Sequence, residues 1–108
     1  MKTISINQIK YLNKAKGQYF FSADTMRFFH SRVGQTAYAI NGIAYFISSE
    51  QREHDIPRKY TIRKANLETG DIGTVGEFQA YDSNAQAMSA LKKLYSEQEK
   101  LVLVEQKS

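Results

Sequence analysis

At 108 residues, with 42% hydrophobic and 24% charged side chains, the chain has the length and composition of one ordinary globular domain, able to bury a single core. It contains no cysteine, which excludes disulfide scaffolds, thiolate metal sites and cysteine nucleophiles. Fifteen basic residues against eleven acidic ones give a net charge of +4, a modest bias towards acidic partners.

Residues 1–108 are read as a single domain. Met1 to Lys16 scatters four lysines among its apolar residues and offers no continuous apolar stretch, so the expectation is a cytoplasmic protein without a membrane partner. The first element opens on Ser5-Ile6-Asn7-Gln8, a capping-box pattern, and Ile6, Ile9 and Leu12 recur on one face. Gly17 supplies a left-handed stop, which places the first helix at about residues 5–16. Tyr19-Phe20-Phe21 suits a strand or extended segment. Ser22 then caps a short helix running to His30, with Asp24 in its first turn and His30 in its last. The aromatics Tyr19, Phe20, Phe21, Phe28 and Phe29 are expected in the core.

Asn41-Gly42, flanked by Ala37-Tyr38-Ala39-Ile40 and Ile43-Ala44-Tyr45-Phe46-Ile47, predicts a β-hairpin on a type I′ turn, because Asn and Gly accept positive φ at least cost. Ser49 to Lys59 is polar, aperiodic and holds the sole proline, Pro57, so it is read as a surface loop. Tyr60-Thr61-Ile62-Arg63 and Ile72 to Phe78 make a second hairpin around the turn residues Glu68-Thr69-Gly70-Asp71. Ser83-Asn84-Ala85-Gln86 repeats the capping box, and Ala87, Met88, Leu91, Leu94 and Tyr95 form the stripe of a final helix. Leu101 to Val104 reads as its frayed extension.

Without repeated βαβ alternation, this order predicts an α+β fold: a four-stranded antiparallel sheet of two hairpins, with the N-terminal and C-terminal helices packed on one face and the other face partly solvated.

Chemistry is sparsely signposted. Glu50, Glu53 and Asp55 around His54 invite a metal or acid/base reading, but their interleaving with Arg52, Arg58 and Lys59 is also what a solvated loop looks like, and the second reading is preferred. Gly70, Gly73 and Gly76 lack the following Lys-Ser or Lys-Thr of a phosphate loop, and no serine lies in a nucleophile elbow. The expectation is a protein that is not an enzyme and takes no cofactor or metal. Arg58, Lys59, Tyr60, Arg63 and Lys64 stand out instead, since cations beside aromatics hold phosphates and stack bases. The competing reading puts Tyr60 and Ile62 in the core and the cations on a solvated edge.

Three stretches, Lys16-Gly17-Gln18-Tyr19-Phe20-Phe21-Ser22 running into Thr25-Met26-Arg27-Phe28-Phe29, then Ser31-Arg32-Val33, then Tyr45 to Glu50, resemble a family of small uncharacterised proteins encoded by bacteriophages and other mobile elements. Arg58 to Arg63 and Gly76 to Tyr81 extend the likeness, which spans about residues 14–95. The resemblance implies no activity; it implies a setting in which small accessory proteins bind host or phage macromolecules. Within its most distinctive run, Arg27 and Arg32 are the candidate functional groups, with an ion pair or backbone clamp as their structural alternative. The expected function is a non-catalytic binding module engaging nucleic acid or a nucleic-acid-handling complex; the alternative is a protein inhibitor of a host defence nuclease complex.

Overall fold

A computed structural model describes residues 1–107. In chain order it contains β1 (Thr3–Ser5), α1 (Ile6–Ala15), α2 (Ala23–Arg27), a 3-10 turn (Phe28–His30), β2 (Arg32–Val33), β3 (Thr36–Ile40), β4 (Ile43–Glu50), β5 (Lys59–Asn66), β6 (Ile72–Val75) and α3 (Asn84–Lys107). The fold is α+β with an antiparallel sheet ordered β1-β3-β4-β5-β6, and β2 also pairs with β4. The sheet therefore has six strands, not four: β1 and β2 are three and two residues long, too short for an alternation to be read in sequence.

The Asn41-Gly42 hairpin forms as expected, with φ of 50° and 80° and Ile40 facing Ile43 across the turn. β4 is longer than its partner. β3 pairs with its first half, and β2 takes up the same edge beside Ser48 and Ser49. β5 pairs with all eight residues of β4, from Ile43 opposite Asn66 to Glu50 opposite Lys59.

The helices correct the expected layering. Ile6 and Ile9 of α1 pack with Ala37, Ala39, Ala44, Phe46 and Ala65, whereas Ala87, Leu91 and Tyr95 of α3 pack with Tyr45, Ile47 and Ile62. Since neighbouring strand residues point to opposite faces, α1 and α3 lie on opposite sides of the sheet and neither face is left to solvent throughout. The sequence reason is visible in β4, where Ala44, Tyr45, Phe46 and Ile47 are all buried, a continuous apolar run and not an alternating one.

All three serine caps hold, Ser22 accepting from the Thr25 amide at 3.3 Å. Ser5 accepts from the Asn7 amide, and Ser83 from the Gln86 amide at 3.1 Å, while the Gln86 side chain accepts from the Asp82 amide at 3.0 Å. α3 runs through Leu101–Val104 as a helix, although Leu101 and Leu103 remain more than half exposed. Tyr95 ties it down: its hydroxyl donates to the Ala39 carbonyl at 2.9 Å and accepts from the Lys2 amide at 3.1 Å.

The Tyr19–Phe21 segment forms no strand. Its placement comes from Asn13, a buried residue of α1 that accepts from the Phe20 amide at 3.2 Å and donates to the Gly70 carbonyl at 2.8 Å. Gly70, at φ 79°, closes the β5–β6 turn so tightly on α1 that a Cβ there would sit 3.1 Å from the Leu12 carbonyl oxygen. One buried amide thus fixes helix, turn and aromatic segment together.

Candidate ligand cavity

Along the α1 side of the sheet, the strands change character halfway. Ala44, Phe46, Ala65 and Ile72 form an apolar half beneath α1. Further along the same face come Ser48 and Glu50 of β4, Thr61 and Arg63 of β5, and Thr74 of β6, brought side by side by the ladder register. This polar half is roofed by α2 and the 3-10 turn, and between roof and floor lies a cavity of about 650 Å³ lined by phenylalanines 20, 28, 29 and 78 with Glu50 and Arg63.

The floor is a connected network. Arg63 Nε donates to Ser48 Oγ at 2.9 Å, its Nη1 donates to Thr74 Oγ1, and its Nη2 lies 3.6 Å from Glu50 Oε1. Thr61 Oγ1 donates to the same Oε1 at 2.7 Å and accepts from the Gln79 amide at 2.9 Å. Gln79, itself left-handed at φ 58°, also donates from Nε2 to the Glu50 carbonyl at 3.2 Å. Beside this network, the Arg63 guanidinium is 5.4 Å from the ring centres of both Phe20 and Phe78, within cation–π range of each. Burial lowers the Arg63 pKa from its ordinary value, and the neighbouring Glu50 charge opposes that shift. The guanidinium stays charged throughout the physiological range.

One group stands apart. Glu50 is 1% exposed, and its Oε2, shielded from water, accepts no hydrogen bond from the described residues. A buried carboxylate oxygen without a donor is costly enough to be rare.

The roof is strained. Phe29 and His30 take left-handed backbone angles, φ 53° and 47°, a conformation costing roughly 1–2 kcal/mol for each such residue. They are held by the Gln51 amide donating to the Phe29 carbonyl at 2.8 Å, and by Arg58 Nη1 donating to the His30 and Ser49 carbonyls at 2.9 and 3.0 Å. The Phe29 ring is tilted on Phe78 at 6.1 Å and on Phe28 at 4.4 Å, and Arg52 lies 5.6 Å over it. Phe28 is two-thirds exposed at the rim.

The structure separates the residues singled out from sequence. Arg63 is in the cavity floor. Lys64 and Tyr60 point to the opposite, α3 face, because β5 alternates, so Arg58, Lys59, Tyr60, Arg63 and Lys64 do not share one surface. Tyr60 packs beside the α3 core. Lys59 pairs with Asp82, and Arg58 is the backbone clamp just described. Arg27 stands at the roof, 3.6 Å from Asp24 in an exposed pair, and Arg32 is exposed opposite Ser49 on the α3 face.

Three further expectations are corrected. Glu50 is not part of a solvated loop: it is the last residue of β4 and buried. Tyr19 and Phe28 are not core residues, being 75% and 67% exposed. The helix expected from Ser22 to His30 breaks after Arg27, where the backbone turns left-handed at Phe29. His54 is exposed, as a loop residue should be, and its ring lies 5.5 Å from that of His30, tilted by 35°, a proximity the sequence separation hides. Among the described residues, no group of three His, Asp or Glu side chains is placed to share a metal ion.

These features define a class: a two-sided α+β domain whose sheet is packed against α3 on one face and, on the other, carries a phenylalanine-walled cavity over a floor of Arg63 and buried Glu50. The chain belongs to DUF7447, a family of unknown function whose profile matches residues 5–92, a span that includes the whole cavity. No curated protein and no solved structure matches it. Among the described residues no helix is long and apolar enough to cross a membrane.

Proposed function

We propose that the chain is a non-catalytic binding module that holds an unpaired base of single-stranded nucleic acid in the cavity, the base stacking against the phenylalanine walls. The observation that carries this reading is the half-open aromatic cavity itself, with Phe28 presented at its rim and the exposed cations Arg27 and Arg52 beside it. Splayed bases are held by stacking on aromatic and guanidinium planes, and neighbouring cations track the phosphates. The floor supports a binding role over a catalytic one, because Arg63 donates to Ser48, the Thr61 hydroxyl is spent on Glu50 and the Gln79 amide, and Glu50 faces a charge partner. Phage or mobile-element origin is part of the proposal and rests on the sequence resemblance alone.

The test is a titration of labelled single-stranded and duplex DNA and RNA at two salt concentrations, roughly 50 and 200 mM, across which phosphate-dependent binding weakens steeply. Single strands are expected to bind and duplexes not. Phe28→Ala should weaken binding by about 1–3 kcal/mol, the worth of one stacked base, while leaving the melting temperature in place. Absence of single-strand binding at the lower salt would overturn the reading in favour of a protein partner, an inhibitor of a host defence nuclease complex being the alternative.

A further inference from the structure

We infer that the base taken by this cavity is guanine, read on its Watson–Crick edge by the Glu50 carboxylate; the inference rests on the base-binding reading above. The argument starts from what the floor lacks. Arg63 already supplies Glu50 with a positive neighbour and already occupies a cation–π position on both Phe20 and Phe78. A cationic ligand would therefore repeat an interaction the protein makes internally. What is missing is a neutral donor, since Oε2 is buried and accepts nothing from the described residues.

An ionised carboxylate offers two acceptors side by side and no donor. Guanine alone presents the complementary edge, with its ring N1–H and amino N2–H adjacent. Adenine and cytosine place a lone pair next to their amino group, and thymine and uracil flank their one N–H with two carbonyls, so each sets an acceptor against a carboxylate oxygen. Oε1 receives one hydrogen bond, from Thr61, and has Arg63 Nη2 at 3.6 Å, beyond hydrogen-bond distance, so it keeps acceptor capacity next to the unpartnered Oε2.

Because Oε2 is also shielded from water, the donor must come on a group that displaces part of the cavity wall. Phe29 is the wall residue whose backbone is left-handed, and its release relieves strain.

The experiment uses short oligothymidines carrying one central guanine, adenine, cytosine or inosine, titrated against the wild-type chain. Guanine is expected to bind about tenfold more tightly than adenine or cytosine, as base-edge pairs of this kind discriminate. Inosine, which keeps N1–H and lacks the amino group, should fall between. Glu50→Gln should abolish the guanine preference. Equal binding of all four oligomers, or inosine binding as tightly as guanine, would overturn the inference while leaving the base-binding reading intact. Failure of every oligomer to bind would instead sink that reading. Guanosine monophosphate binding without oligomer binding would reassign the cavity to a free nucleotide. Should Glu50→Gln fail to fold, judged by its thermal melt, the inosine comparison on the wild type decides alone.

Discussion

The two halves of one sheet face, built on the same strands a few residues apart, behave as different materials. Beneath α1, Ala44, Phe46, Ala65 and Ile72 meet Ile6 and Ile9, and the interface is filled. Beneath the 3-10 turn, Ser48, Glu50, Thr61 and Arg63 meet a five-residue helix and two left-handed residues, and the interface encloses a cavity. A ten-residue helix can present a regular apolar stripe that fits a pleated surface, whereas a short, kinked segment cannot fill the space it covers. Stability is thus concentrated in one half and the capacity to bind in the other, so substitutions should sort by half.

The largest effect is expected in the filled half. Phe46 is fully buried at its centre, with Phe20 and Phe21 at 6.2 and 6.0 Å, and Phe46→Ala should cost about 3–5 kcal/mol, read as a shift in the denaturant midpoint. Leu91→Ala on the opposite face should cost about 2–5 kcal/mol, because Leu91 is fully buried against the sheet by α3. A mild effect at Leu91, similar to that of exposed Lys92→Ala, would mean that α3 does not pack as described.

In the cavity half, a single substitution and a double one should diverge. Arg63→Met strands the buried Glu50 charge and is expected to cost on the order of 3 kcal/mol. Adding Glu50→Leu removes the stranded charge, so the double variant should recover much of that loss and be more stable than Arg63→Met alone. Double-mutant-cycle denaturation measures this. Additive losses would show that Arg63 and Glu50 do not act as a pair.

How far these halves were legible in the sequence follows from where each signal sits along the chain. Asn41-Gly42 and the three serine caps are local chemistry, carried by two to four adjacent residues, and they fold as read. The filled half was legible in composition though not in sidedness, since periodicity shows that a stripe is buried and not which face buries it. The cavity half was hidden for a different reason. Ser48-Ser49-Glu50 follows an apolar run and precedes a polar loop, so it reads as the beginning of that loop. Only its pairing with Thr61 and Arg63 across β5 shows that it remains strand. That register spans eight loop residues between Glu50 and Lys59 and so cannot be deduced from a turn type. Alternation within Thr61-Ile62-Arg63 was the one available clue: a strand with polar residues at every second position needs polar company on that face.

Gly70 joins the two halves, because its turn is held by Asn13 of α1 and leads into β6, which carries Thr74 into the cavity wall. A Cβ at Gly70 meets the Leu12 carbonyl oxygen at 3.1 Å and must sit at φ 79°. Gly70→Ala is therefore expected to destabilise by about 1–2 kcal/mol, measured by thermal melting. An unchanged melting temperature would show that this turn relaxes freely from α1.

The smallest effect is expected at Lys64, and it sharpens the comparison most directly. Lys64 adjoins Arg63 in sequence, yet strand alternation sends the two to opposite faces, with Arg63 in the cavity floor and Lys64 exposed on the α3 side. An exposed lysine contributes within about 0.5 kcal/mol to stability, so Lys64→Glu should leave the denaturant midpoint nearly unchanged. It should also leave the guanine preference of oligomer binding untouched, reducing overall affinity only through the net charge and only at low salt. Arg63→Glu, one residue away, places a second carboxylate beside buried Glu50 and should unfold the domain. Were Lys64→Glu to abolish binding at every salt concentration, the working surface would lie on the α3 face, and the cavity would be a packing consequence of its kinked roof and not a site.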